Sequence, residues 1–150
     1  MDGEEHFSIK AILLGWLVDT GTSFLFSIIL GLIIYFFYQF TAANSADAGT
    51  IEARLDNLYY TFPFMVFEMS FGLIFTMVGG FVTAYIAKES IIKHTFAMGC
   101  LSLATSLLMM VYLAEHSFPL WYWIAAGVLP VPAAVLGGYV YTIVKEDFRK

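Results

Sequence analysis

Four apolar stretches, roughly Ile9–Phe37, Tyr60–Ala87, Thr95–Leu113 and Leu120–Val144, fill most of the chain. A bilayer core takes about 20 apolar residues per helix, so each stretch is long enough to span one. The chain has 150 residues, 60% hydrophobic and 13% charged. A soluble fold of that size lacks the polar surface to cover so much hydrocarbon. The expected fold is therefore an all-α membrane protein, a four-transmembrane-helix bundle in one integral membrane domain over 1–150, possibly built as two tandem helical hairpins. The loop Gln39–Tyr59 is too small to hold a soluble catalytic core.

The basic residues set the expected threading. Lys10 precedes the first span, Lys88 and Lys93 flank the turn between the second and third, and Lys145, Arg149 and Lys150 follow the fourth. Arg54 stands alone on the other side. This positive-inside pattern places both termini in the cytosol. Trp121, Tyr122 and Trp123, with Tyr59 and Tyr60, suit an aromatic belt at the opposite face. Ala46-Asp47-Ala48 has the form of a signal cleavage site, but the apolar run before it is about twice the usual signal length and follows an acidic start. The first span is read as a retained helix. Ile51, Leu55 and Leu58 recur at helical spacing, which predicts a short amphipathic helix on the outer surface.

The two halves share a pattern. The second span ends in Gly79-Gly80, an aromatic residue and Lys88-Glu89; the fourth ends in Gly137-Gly138, an aromatic residue and Lys145-Glu146. The first and third each carry a glycine near the cytosolic end, Gly15 and Gly99. A parallel duplication of a helical hairpin and convergent use of packing glycines both fit.

Small and polar residues recur every fourth position along the first two spans. One stripe is Gly15, Asp19, Ser23, Ser27 and Gly31; the other is Glu68, Gly72, Thr76, Gly80 and Ala84. Small residues let helices approach in lipid and hydroxyls bridge them, so the stripes predict a tight antiparallel contact. Asp19 and Glu68 each sit about 12 Å from their own span edge at 1.5 Å per residue. At those depths they meet directly or through one water. Two carboxylates sharing a low-dielectric site do not both stay ionised, so such a pair is protonatable. An intramembrane acid is a candidate for proton-coupled movement, for contact with a partner, or for structural hydrogen bonding to Ser23, Ser70 or a backbone carbonyl.

Pro130-Val131-Pro132 falls at mid-depth in the fourth span and predicts a kink there. Pro63 and Pro119 lie near span starts, where proline is tolerated. His94 follows Lys93 at a membrane edge and is expected to be an interfacial polar residue. It lies about 33 Å along the helix from His116, and His6 is in the acidic tail, so no metal-ligand spacing is present. Cys100 is expected to pack as a small apolar residue. No phosphate loop, nucleophile elbow or HExxH motif occurs.

The run Gly79-Gly80-Phe81-Val82-Thr83-Ala84-Tyr85-Ile86-Ala87-Lys88, then His94-Thr95-Phe96-Ala97-Met98-Gly99, resembles small, uncharacterised four-helix bacterial inner-membrane proteins. Pro132-Ala133-Ala134-Val135-Leu136-Gly137-Gly138 fits the same look. The resemblance covers about the last ninety residues and departs at Thr95, where a glycine often follows the histidine. It implies a bacterial inner membrane and carries nothing over to Asp19 or Glu68. The expectation is a non-enzymatic polytopic subunit or accessory protein of a larger membrane complex. It would bind no cofactor, metal or nucleic acid, and its partners would be the lipid bilayer and either copies of itself or other membrane subunits. The alternative is a small oligomeric proton-coupled transporter or channel using Asp19 and Glu68.

Overall fold

A long apolar segment satisfies its backbone polar groups internally by closing into a helix, and every described span does so. The computed structural model describes residues 7–42, 58–112 and 118–147. Its helices are α1 (Ile9–Ala42), α2 (Phe62–Ala87), α3 (Ile91–Tyr112), α4 (Leu120–Val128) and α5 (Pro130–Asp147). Among the described residues, four helical units are long and apolar enough to cross a membrane, α4 and α5 together forming the fourth.

Local chemistry sets the helix ends. Ser8 starts α1, its hydroxyl accepting the Ala11 amide at 3.3 Å. Pro63 occupies the first turn of α2, where its missing N–H costs nothing. Lys88 leaves that helix at φ 59° with its amide on the Ala84 carbonyl, and Ser90 follows at φ 44°. These two left-handed residues turn the chain within three positions, so α3 begins at Ile91, a turn before the expected Thr95. The α1 helix runs one turn past Phe37, which shortens the expected loop. The amphipathic helix expected around Ile51 and Leu55 lies outside the described residues, as do Arg54 and His116.

The fourth unit breaks at Leu129. Pro130 and Pro132 lack the N–H groups that would reach the carbonyls of Ala126 and Val128, so two ladder bonds, on either side of Val131, are missing. The Leu129 amide still reaches Ala125 at 2.9 Å and the Ala133 amide reaches Leu129 at 3.0 Å, so the helix direction survives as a kink.

The helices run alternately up and down, with α2 packed between α1 and α5 and α3 closing the bundle against both α1 and α5. Met98 is fully buried at the centre with Ile12 and Ala134, ringed by Trp16, Ala97 and Leu101. Most large apolar side chains point outward, among them Leu17, Phe24, Ile33, Leu108 and Leu136. Small residues inside and aliphatic residues outside are the distribution expected when lipid is the solvent.

Candidate functional site

The α1–α2 contact is closest at two glycines. A Cβ on Gly15 would fall 2.6 Å from the Gly79 carbonyl oxygen, and a Cβ on Gly79 would fall 2.7 Å from that of Gly15. Only hydrogen at both positions lets the backbones approach this far. One turn along α1, Asp19 enters the junction with α2 and α3 and is 5% exposed. Its Oδ1 lies 3.1 Å from the Thr76 hydroxyl and its Oδ2 accepts the Ser102 hydroxyl at 2.5 Å. Thr76 also lies 3.0 Å from the Gly72 carbonyl. The set accommodates the acid in either protonation state. An ionised Asp19 accepts from both hydroxyls; a protonated one donates to Thr76 while Thr76 donates to Gly72. Beside this cluster, the Trp16 indole N–H donates to Thr105 at 3.0 Å, tying α1 to α3 again.

The stripes divide between neighbours. Gly15 and Asp19 engage α2, whereas Ser23 is half-buried, Ser27 is exposed and Gly31 only approaches the Tyr59 hydroxyl. On α2, Thr76 faces Asp19, but Gly80 abuts the Ala134 backbone of α5. Gly137 in turn abuts the Met77 backbone, and Gly138 packs on Thr95. Gly79, outside the stripe, makes the closest approach to α1. A spacing of four on a 3.6-residue helix drifts about 40° per step, so Glu68 to Ala84 rotates through about 160° and cannot serve one partner.

Asp19 and Glu68 are held apart. Glycine packing registers Asp19 opposite Thr76, two helical turns or about 12 Å along α2 from Glu68. The expected shared site is therefore not formed. Depths counted from each span's own edge mislead here, because helices as long as α1 overhang a bilayer core. The acid's partners are also not the expected Ser23 and Ser70; Ser70 returns its proton to the Val66 carbonyl at 2.7 Å.

Glu68 is half-buried and stands between Phe67 and Phe71 along α2. Phe26 of α1 stacks on Phe71 at 4.7 Å and also meets Phe67 and Phe75. Tyr59, just before α2, has its hydroxyl pushed up by burial and then by the negative charge of Glu68.

His94, expected as an interfacial polar residue, is turned inward at the start of α3 and is 1% exposed. Its Nδ1 lies 3.0 Å from the Ser90 carbonyl and its Nε2 accepts the Ser8 amide at 2.8 Å. Phe7 stacks on the ring at 5.0 Å. Cys100, expected to pack inside, is exposed on the outer surface of α3. His94, Ser102 and Thr105 share one inward face of α3 with Met98, and their helical spacing is the sequence signal that identifies that face. Among the described residues no group of His, Cys, Asp and Glu side chains is placed to hold a metal ion. Comparisons with protein-family models, curated proteins and solved structures find no match to this chain.

Proposed function

We propose that this chain is a multi-pass protein of a bacterial inner membrane, with both termini in the cytosol, acting as a non-enzymatic subunit or accessory factor of a larger membrane assembly. The observation that carries this reading is the engagement of Asp19. Both carboxylate oxygens meet hydroxyls from two other helices, so the most buried acid among the described residues serves to join α1, α2 and α3. The outward aliphatic surface of α1 offers lipid or a second membrane protein a continuous apolar face. Extraction in mild detergent followed by native mass measurement tests the reading. A defined oligomer or a stoichiometric companion is expected; a solitary monomer overturns it. A reporter fused after Lys150 tests the threading, with a cytosolic signal expected.

A second reading, a small proton-coupled transporter or channel, is favoured by Glu68. This acid is half-buried and has no hydrogen bond among the described residues. Proton flux into liposomes distinguishes the two readings. Flux present in the parent and lost in Glu68→Gln selects the transporter; absence of flux in the parent rejects it.

A further inference from the structure

We infer that the face of α2 around Glu68 is a binding site for a lipophilic organic monocation, of the quaternary ammonium or phosphonium class. Glu68 is half-buried and makes no hydrogen bond or ion pair among the described residues. Asp19 differs, since hydroxyls engage both of its oxygens. A half-buried carboxylate without a partner is costly, and a cation relieves that cost. No other charged side chain occurs among the described residues of α1 after Asp19, of α2, of α3 after His94, or of α4. The segments that join α1 to α2 and α3 to α4 add, in sequence, Asp47, Glu52, Asp56 and Glu115 against Arg54 and His116. That excess of acids draws cations toward this end of the bundle.

The same face supplies carbon surface and room. Phe64 and Phe71 stand four residues before and three after Glu68, which puts them on its side of the helix, one turn to either side. Gly72 lies one turn along that side, and a Cβ built there would meet nothing within 4 Å. Phe26 of α1 stacks on Phe71 at 4.7 Å, and the Tyr59 ring meets Phe64 edge-on at 4.9 Å. The Tyr59 hydroxyl reaches toward α1, 3.6 Å from where a Gly31 Cβ would lie. Burial and then the Glu68 charge hold that hydroxyl above the ordinary tyrosine value, so the phenol and the carboxylate share one locality.

These parts select the kind of cation. A hard metal ion takes about six oxygen ligands, whereas here one carboxylate and one phenol stand against carbon. An aromatic face attracts a cation within about 6 Å of the ring centroid, more strongly once the cation has shed its water. A quaternary centre has no N–H to satisfy and carries its charge inside an apolar shell. It therefore gains from the carboxylate and the rings together. Such binding requires neither a companion subunit nor proton movement, so it stands or falls separately from both readings of function.

Tetraphenylphosphonium is the probe, measured by equilibrium dialysis against the full chain in lipid nanodiscs, with empty nanodiscs subtracted for partition into lipid. One saturable site per chain is expected, and neutral triphenylphosphine oxide is expected not to displace the probe. Glu68→Gln, which keeps the side-chain shape, is expected to weaken binding about tenfold or more. Phe71→Leu is expected to weaken it about threefold, and Gly72→Leu, which fills the open space, to abolish it. Glu89→Gln, an acid at the opposite end, is expected to leave it unchanged. Absence of saturable binding in the parent, displacement by the neutral oxide, an equal loss in Glu89→Gln, or undiminished binding in any of the three site variants overturns the site. Arg54→Gln is expected to leave the affinity unchanged. A tenfold gain there would show the chain's own guanidinium competing for the carboxylate and would overturn an external ligand.

Discussion

Toward the lysine-bearing end, a Cβ added to Gly79 would sit 2.7 Å from the Gly15 carbonyl oxygen, and one added to Gly99 would sit 2.8 Å from the Val131 Cα. Toward the opposite end, a Cβ added to Gly21, Gly72 or Gly127 would meet nothing within 4 Å. The first half is joined backbone to backbone. The second is joined by rings, with Phe26 set among Phe67, Phe71 and Phe75 and Tyr122 stacked on Phe118 at 5.1 Å. Asp19 lies at the boundary. Where lipid is the solvent, burying a large side chain brings little net gain, so close backbone approach and hydrogen bonds set the specificity. The half with glycine contacts is therefore the one that fixes helix register.

The strongest way to break this contrast is to add one methyl group at each kind of glycine. Gly80→Ala and Gly137→Ala place a Cβ against the backbones of Ala134 and Met77, which cannot move without separating α2 from α5. Each is expected to cost about 3 kcal/mol or more. Gly72→Ala meets open space and is expected to stabilise the helix by about 0.5–1 kcal/mol. Unfolding in mixed detergent–dodecyl sulfate micelles reads all three. Equal losses at Gly72 and Gly80 would erase the distinction.

The boundary cluster comes next. Asp19→Ala removes the acceptor shared by Thr76 and Ser102 and is expected to cost about 1–2 kcal/mol, near the upper range for interhelical hydrogen bonds in membranes. Asp19→Asn keeps one acceptor oxygen and is expected to remain folded with a smaller loss. A smaller effect still is expected at Phe26→Leu. That change removes three ring contacts but keeps apolar contact with lipid, for a loss of about 1 kcal/mol. If Phe26→Leu proves costlier than Gly80→Ala, the rings rather than the glycines set the register.

The contrast also explains what the sequence revealed. Span number and approximate limits were legible because they depend on apolar length alone, and the prolines at 130 and 132 carry their own reason to interrupt a ladder. Partner assignment was not. A strict spacing of four suggests a straight stripe, yet the helix rotates that stripe from α1 toward α5, so Gly79 rather than Gly80 meets Gly15. Asp19 was identifiable as an unusual acid, but Ser102 lies far along the chain and only packing brings the two together. His94 misled because Lys93 beside it suggested an edge, while its phase with Met98 and Ser102 turns it inward.

The smallest expected effect distinguishes how the two acids of the long apolar helices act. Asp19 works through hydrogen bonds, whereas Glu68 reaches Tyr59 through its field. Burial and then the Glu68 charge hold the Tyr59 hydroxyl above the ordinary tyrosine value. The folded chain thus keeps that proton more tightly than the unfolded chain. Its contribution is complete below the unfolded value of about 10 and is lost as pH rises through the raised folded value. Glu68→Gln removes the charge and leaves the burial. Tyr59 is then expected to ionise at a lower pH than in the parent, yet still above free tyrosine. Alkaline ultraviolet titration, taken as the difference from Tyr59→Phe, isolates this group from the other tyrosines. The same Glu68→Gln change is expected to leave unfolding at neutral pH within about 0.5 kcal/mol of the parent. Asp19→Asn should do the reverse, shifting unfolding while leaving Tyr59 unmoved. A Tyr59 titration indifferent to Glu68→Gln would remove the electrostatic half of the contrast.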